Sequence, residues 1–389
     1  MRLFGIMLWA LPAVAQAQFT FVTNNGALTI TGYSGPGGAV AIPGTNNGLP
    51  VTAIGADAFY NSVSITSVTI PNSVTGIGEE AFEGCDNLAS ITIPNSVTTI
   101  GDLAFISCSS LTNVSIGSGV ANIGAEAFQD CVSLTAINVS TNNPVFSSIA
   151  GVLFNQNQTA LIECPGGLGG NYTVPNGVTS IGDYAFAYCP NLVGITLPGG
   201  VTSIGTGAFE SCYSLAGVNI SNSVTNIGDY AFALCSTLTS VTLPGSVTGI
   251  GAGAFEYCSG LSGIIFWGSP PSLGDSNVFS GGSPGATAYY APGTAGWGPT
   301  FGGLPTVPLY PQVQTGGANF GVRTNQFGFN ILWGSGRVIV VEAATNLANP
   351  VWTPLQTNTP TNNSFYFSDP GWTNFPSRYY RLYAPAPPP

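Results

Sequence analysis

The chain has 389 residues, with 16 Asp or Glu, five Arg and no His or Lys, for a formal net charge of −11. A surface of that sign repels nucleic acid and anionic lipid. Without His or Lys there is no Ser-His-Asp or Cys-His pair, no Walker loop and no Schiff-base lysine, which leaves carboxylates as the acid and base groups.

Residues 1–17 read as a signal peptide: Arg2 gives the positive start, Leu3–Leu11 a short apolar core and Ala15-Gln16-Ala17 a small-residue cleavage site. No later stretch reaches the ~18 apolar residues that a membrane helix needs. Residues 18–50 predict an N-terminal cap, in which Phe19-Thr20-Phe21 and Leu28-Thr29-Ile30 form a hairpin through Asn24-Asn25-Gly26.

Residues 51–266 write one sentence eight times, opening at Val51, Val74, Val97, Val120, Val178, Val201, Val224 and Val247. Six of the seven steps are 23 residues and one, Val120 to Val178, is 58. A fixed period in the twenties predicts a solenoid whose coils bury apolar faces only against their neighbours. In the second coil the inward set is Val74, Ile77, Ala81, Phe82, Cys85, Leu88, Ile91 and Ile93. Ile91-Thr92-Ile93 alternates as a strand does, Pro94 ends it, Gly78 makes a corner, and Glu79–Cys85 is expected to form a short helical turn.

The repeated motif I-G-x-x-A-F-x-x-C-x-x-L-x-x-[IV]-x-[IL]-P resembles the leucine-rich repeats of the bacterial surface protein A (BspA-like) family. The resemblance implies a mostly β solenoid of leucine-rich repeats with a strand and a short helical turn per coil. It also implies a secreted or surface-displayed, non-enzymatic protein that binds other proteins or mediates adhesion. It brings no catalytic residue, cofactor or metal site with it.

The long step holds an insertion at about residues 140–171, with Val152-Leu153-Phe154 and Ala160-Leu161-Ile162 as a hairpin. Insertions in solenoids tend to emerge on one face, often the binding face, and a spacer with only local packing is the alternative. Residues 267–309 are expected to form a C-terminal cap and linker, with Ala286–Tyr290 as a last strand. Residues 310–384 predict a small β-sandwich-like domain from the runs Phe327–Trp333, Val338–Ala343, Ser364–Phe367 and Tyr379–Tyr383. Residues 385–389 are a Pro-rich tail.

Residues 19–310 hold 14 acids and no Lys or Arg. Most acids follow the corner Gly, as Glu79, Asp102, Asp183 and Asp229 do, or come one later, where they would cap the helical turn and face its positive end. A ladder of weak Ca²⁺ sites is the functional alternative. Seven cysteines share one inward slot and Cys164 lies in the insertion. Identical slots in stacked coils predict free buried thiols, although an even count in an exported chain also suits disulfides. The Phe of each A-F pair, from Phe59 to Phe255, is expected to stack as an aromatic spine, the alternative being a surface stripe for sugar rings. Outward sheet positions such as Ser67/Thr69 and Ser90/Thr92 are small and polar, with no aromatic or Arg anchor; they suit weak, repeated contacts with a polymer or an inert spacer. The carboxylates outside the repeat pattern, Glu163, Asp275, Glu342 and Asp369, are the candidates for acid and base if the chain is a carboxylate-dependent glycosidase. The sequence therefore favours an exported interaction, display or adhesion protein whose partner is protein or polysaccharide at the cell surface. The competing reading is a carbohydrate-binding accessory protein or that glycosidase.

Overall fold

In a computed structural model the described residues are 18–291, 294–315, 319–333, 338–361 and 364–384. The expected signal peptide, the Pro-rich tail, Pro292-Gly293 and Arg337 lie outside them. The chain divides into two compact units, Met1–Gly170 with Gly177–Leu192 and Gly207–Tyr213, and Asn171–Asn176 with Val193–Thr206 and Ser214–Pro389.

Both units are β-solenoid, built of the same coil. In the first unit the sheet strands Gly38–Ala41, Ile65–Thr69, Ser90–Ile93, Asn113–Ile116 and Ala136–Val139 pair in parallel. Asn113 lies between Ser90 and Ala136, and Val114 between Ile91 and Ile137, so identical repeat positions stack. Ile91, Ile93, Val114 and Ile137 are buried, while Ser90 and Thr92 are exposed. A second ladder of two-residue corner strands, Gly76–Ile77, Thr99–Ile100 and Asn122–Ile123, runs beside it. Each corner Gly lies tight on the preceding coil: a Cβ on Gly101 would sit 2.5 Å from the Glu79 nitrogen. Outside the corner, Thr98 Oγ1 donates to the Thr75 carbonyl and Thr75 Oγ1 to that of Thr52, so hydroxyls also tie coil to coil.

The expected helical turn is absent: among the described residues the sole helical element is the 3-10 segment Trp372–Asn374. Two successive β-turns run from the corner Gly to the Cys instead, with Glu83 N–H donating to the Glu80 carbonyl and Cys85 N–H to that of Phe82. A helix would spend its N–H groups on its own carbonyls. Here every second one goes to the next coil: Glu80, Phe82 and Gly84 N–H donate to the Asp102, Ala104 and Ile106 carbonyls at 3.1, 2.8 and 3.0 Å. The geometry requires two left-handed residues per coil, such as Glu80 at φ 52° and Gly84 at φ 64°. Non-Gly side chains disfavour that region by roughly 1–2 kcal/mol, so the inter-coil bonds and the packing beneath outweigh a repeated local cost.

That packing is the aromatic spine, which is inside and not a surface stripe. Phe59, Phe82, Phe105 and Phe128 stack at centroid separations of 4.8, 5.0 and 5.4 Å within 12° of parallel, and Phe186 lies 4.9 Å from Phe209. At the N-terminal end the hairpin Phe19–Asn24 with Ala27–Tyr33 places Phe19 and Tyr33 against Phe59. The cysteine slot has a reason beyond size. Cys85, Cys108 and Cys131 Sγ each donate to the carbonyl of the Phe one coil earlier, at 3.3, 3.1 and 3.1 Å. All eight cysteines are free and buried.

The insertion is not a projection; it rebuilds a coil. Asn143 anchors its start, its buried amide donating to the Gly117 and Val120 carbonyls and accepting the Val145 and Phe146 N–H groups. Strands Phe146–Ile149, Val152–Asn155 and Ala160–Glu163 form an antiparallel meander, and the last pairs in parallel with Ser180–Ile181. Leu161 thus fills the corner Ile position, its carbonyl accepting the Gly182 N–H.

In the second unit, the corner strands Ser203–Ile204, Asn226–Ile227, Gly249–Ile250 and Ser272–Leu273 repeat the pattern, and Phe232, Phe255 and Phe279 continue it at 5.2 and 5.7 Å. One further coil therefore follows Phe266, where a cap was expected. Its cues are displaced, since Val278-Phe279 replaces Ala-Phe and no Cys follows. Thr287–Tyr290 and Leu304–Pro308 add parallel strands beyond it, and Trp297 stacks on Tyr290 at 5.2 Å. Past residue 310 the strands among the described residues pair antiparallel. Gln312–Gln314, Gly321–Arg323, Gln326–Leu332 and Ser364–Asp369 make one sheet, and Ile339–Ala344, Thr353–Asn358 and Tyr379–Tyr383 another. Phe329, Ile331, Trp333, Ile339, Val341 and Phe367 form their shared core.

Two outcomes follow. Phe82→Ala removes a ring with two stacked partners and should cost ~3–5 kcal/mol, with a clear fall in Tm and faster amide exchange in the coils on either side; a parent-like Tm would place the ring outside the core. Denatured, unreduced protein should titrate close to eight thiols and the folded protein almost none, and three or four disulfides would contradict the slot described.

Candidate functional site

The rebuilt coil is shorter than its neighbours. From corner Ile77 to Leu88 the chain takes eleven residues, but from Leu161 to Leu168 only seven. Leu168 N–H donates to the Pro165 carbonyl as Leu88 N–H does to that of Cys85, which fixes the equivalence. The four missing residues come out of the double turn. Pro165-Gly166-Gly167 cuts across beneath it, and Gly166 passes so close that a Cβ would sit 2.8 Å from the Cys131 carbonyl oxygen and 3.3 Å from that of Tyr188.

The shortcut leaves a cavity of about 230 Å³ between the turn of the coil before it, Gly124–Asp130, and the turn of the coil after it, Asp183–Ala187. Glu126, Asp130, Glu163 and Asp183 line it with Gln129 and Tyr184. Glu163 occupies the middle, and its Oε1 accepts the Phe128 N–H at 3.1 Å. In complete coils that N–H goes to the next Ala carbonyl, as Phe105 N–H goes to Ala127 at 2.8 Å. A side-chain carboxyl therefore stands in for one missing backbone acceptor.

The other two acceptors are not replaced. Leu103 and Ser107 N–H donate to the Ala125 and Gln129 carbonyls, but the corresponding Glu126 and Asp130 N–H groups have no partner among the described residues. Across the gap Cys164 N–H reaches the Ala185 carbonyl, while the Ala187 carbonyl receives no donor from the shortened coil. Gln129 is 7% exposed, and its side-chain amide has no hydrogen bond among the described residues.

Electrostatics follow from the same enclosure. Glu163 keeps some exposure through the cavity, but its carboxyl is packed round by protein, and that burial pushes its pKa up to about 8 with help from Glu126. Burial first, and then Asp102, also raises Glu126; burial and then Glu126 raise Glu210. The Tyr184 hydroxyl is raised by burial and by Glu126, Glu210 and Asp183.

Five other carboxylates are engaged elsewhere. Asp102 and Asp229 do not cap helices of their own; each Oδ1 accepts a backbone N–H of the next coil, from Ala125 at 2.9 Å and Ala252 at 2.7 Å. Asp275 follows the corner Gly274 and accepts the Gly253 and Asn277 N–H groups, so it belongs to the repeat after all. Glu342 pairs with Arg381 at 2.6 Å, and Asp369 with Arg378 at 2.5 Å and the Tyr380 hydroxyl at 3.0 Å. Of the four carboxylates set apart as acid or base candidates, only Glu163 lines this cavity. Among the described residues no group of three or more His, Cys, Asp or Glu is disposed to hold a metal ion. Outward sheet residues do line shallow open grooves, Thr92, Ser115 and Asn138 in the first unit and Thr196, Gly217 and Asn219 in the second. The sequence pointed to Glu163 and the insertion but missed Gln129 and the two open N–H groups; the signal was the shortened Leu161–Leu168 spacing.

A family model for the BspA type leucine-rich repeat region matches residues 50–167 and 170–283, in six copies. Among solved structures, the pneumococcal vaccine antigen PcpA is 19% identical at a TM-score of 0.51, over 72% of this chain and 93% of that one. A leucine-rich cell surface protein from Faecalibacterium prausnitzii is 26% identical at a TM-score of 0.46, over 72% and 94%. A Treponema pallidum (T. pallidum) leucine-rich repeat protein is 30% identical at a TM-score of 0.37, over 57% and 89%. No curated protein matches the chain.

The raised Glu163 fixes the sign of a pH effect. An unfolded Glu ionises near 4.5 and the folded one near 8, so stability is fully present below the lower value and falls as pH rises toward the upper. A Gln in its place has no proton to lose. Between pH 5 and 8 the stability of Glu163→Gln relative to the parent should therefore rise by about 1 kcal/mol per pH unit. Parallel urea-unfolding stabilities at pH 5, 6.5 and 8 would contradict the assignment.

Proposed function

This chain belongs to the BspA-type leucine-rich repeat family, and from that premise we propose that it is an exported, non-catalytic scaffold for protein interaction and adhesion at a cell surface. The observation that carries the reading is the repeat array itself, whose side chains are spent on structure. Phe, Cys and Leu fill the interior, Thr hydroxyls and Asp carboxylates bond neighbouring coils, and the outward sheet residues are small and polar. Such a surface offers area and regular spacing, not a reactive group. The N-terminal segment with Arg2, Leu3–Leu11 and Ala15-Gln16-Ala17 supplies the export signal, and the sandwich-like region after residue 310, which holds all four of the arginines outside that segment, serves for attachment or a second contact. An acidic array without Lys or Arg selects partners with basic surfaces over nucleic acid or anionic membrane.

A second reading, that of a carbohydrate-binding accessory protein or glycosidase, draws on one observation: a protonatable Glu163 in a cavity shared with Glu126 and Asp183. One experiment separates the two. The mature chain, residues 18–389, is immobilised and exposed in parallel to solubilised surface proteins and to a polysaccharide panel. Retention of a discrete protein at physiological salt, lost at high salt, with no sugar release, is the expected result. Polysaccharide turnover that disappears in Glu163→Gln would overturn the scaffold reading.

A further inference from the structure

The cavity at the shortened coil is more than a cluster of acids, because the double turn is a ladder and the ladder lacks one rung here. The repeat register directs the Glu126 and Asp130 N–H groups toward the following coil, and the residues that carry them line the cavity. The Ala187 carbonyl closes the gap from the other side as an open acceptor, and Ala187 also lines it. The side-chain amide of Gln129, which opens on the cavity without a hydrogen bond among the described residues, adds one donor and one acceptor. Peptide N–H and C=O groups are matched by groups of their own kind, so these four features together ask for a ligand with amide chemistry. At about 230 Å³ the space is below the ~300–1,000 Å³ typical of drug-sized ligands, and suits a short stretch of backbone with one side chain. The carboxylates of Glu126, Asp130 and Asp183 set the charge of that side chain, and residues 19–310 contain no Lys or Arg.

We propose that this gap is a docking slot for an extended, basic peptide segment of a partner protein. The segment lays two carbonyls on the Glu126 and Asp130 N–H groups, to either side of Glu163, and completes the missing rung. Its Lys or Arg side chain then enters among the carboxylates, beside the Tyr184 ring. This is strand addition applied to a ladder of turns: main-chain bonds give affinity and one side-chain pocket gives selectivity. It rests on the scaffold reading and names the partner chemistry of one site on it.

The test uses the mature full-length chain and a capped pentapeptide, acetyl-Ser-Gly-Lys-Gly-Ser-amide, titrated by calorimetry or by NMR shifts. Single-site binding is expected. It should weaken at least tenfold when norleucine replaces Lys, when alkene isosteres without the carbonyl oxygen replace the peptide bonds on either side of Lys, and in Ala125→Trp, which places a large ring at an exposed position on the cavity wall. Gln129→Met, of similar shape but without the amide, should also weaken binding. Ala125→Trp should leave Tm unchanged, so that lost binding there is not lost folding. No binding of the Lys peptide at millimolar concentration would overturn the proposal. So would equal binding by acetyl-lysine methylamide, or saturation of the slot by Ca²⁺ alone, since either would mean that the carboxylates act without the rung. If the peptide fails while the immobilised chain still retains a surface protein, the slot is wrong and the scaffold reading survives. If neither binds, both fall.

Discussion

The hydrogen bond from a turn N–H of one coil to a turn carbonyl of the next is the constraint on which the rest of this structure depends. It decides that Glu79–Cys85 is not helical, since a helix would consume the same donors. It places Glu80 and Gly84, and their counterparts in the other coils, in the left-handed region. It brings successive turns close enough for Phe82 to stack on Phe59 and Phe105, and for Cys85 Sγ to reach the Phe59 carbonyl. Each coil is thus completed by its neighbours, as repeat proteins require, and a coil that lacks its turn leaves the neighbours' groups open.

That dependence explains why the one candidate site lies where the repeat is interrupted. Within complete coils many polar groups are spent on neighbouring coils. Asp102 bonds the next turn, Thr98 the previous coil, and Cys258 Sγ is held by the Phe232 carbonyl and its pKa pushed up by burial to about 12. At Glu163–Gly167 the chain takes a shortcut that its glycines permit. There the same repeat logic yields open donors, an open acceptor, a buried amide and a carboxyl whose charge is suppressed. Nothing in the site was added to the fold; it is what the fold exposes when four residues are withheld.

Much of this was legible in the sequence. Period, inward positions, the Phe spine, the buried thiols, the N-terminal hairpin and the late antiparallel strands all follow from spacing and side-chain type. The helical turn was misread because E-E-A-F-E-G-C has the composition of a helix end, and composition does not reveal where its N–H groups go. The acids were assigned to the wrong partner for the same reason. The coil after Phe266 was hidden by the substitution of Val278-Phe279 for Ala-Phe. The insertion was visible as a length but not as a coil, because Leu161 and Leu168 are recognised as repeat positions only once Ser180–Ile181 pairs beside them. The slot was least legible of all, since its donors are backbone groups that every residue but Pro possesses.

The claim that turn-to-turn hydrogen bonding organises the coils, and fails at one rung, is tested most directly by residue-resolved amide exchange on the folded mature chain. Phe82, Leu103, Phe105 and Ser107 should be strongly protected, while Glu126 and Asp130, at the same repeat positions as Leu103 and Ser107, should exchange orders of magnitude faster. Phe128 should stay protected by Glu163. Protection of Glu126 and Asp130 equal to that of Leu103 and Ser107 would show that the ladder is unbroken there and would contradict the account.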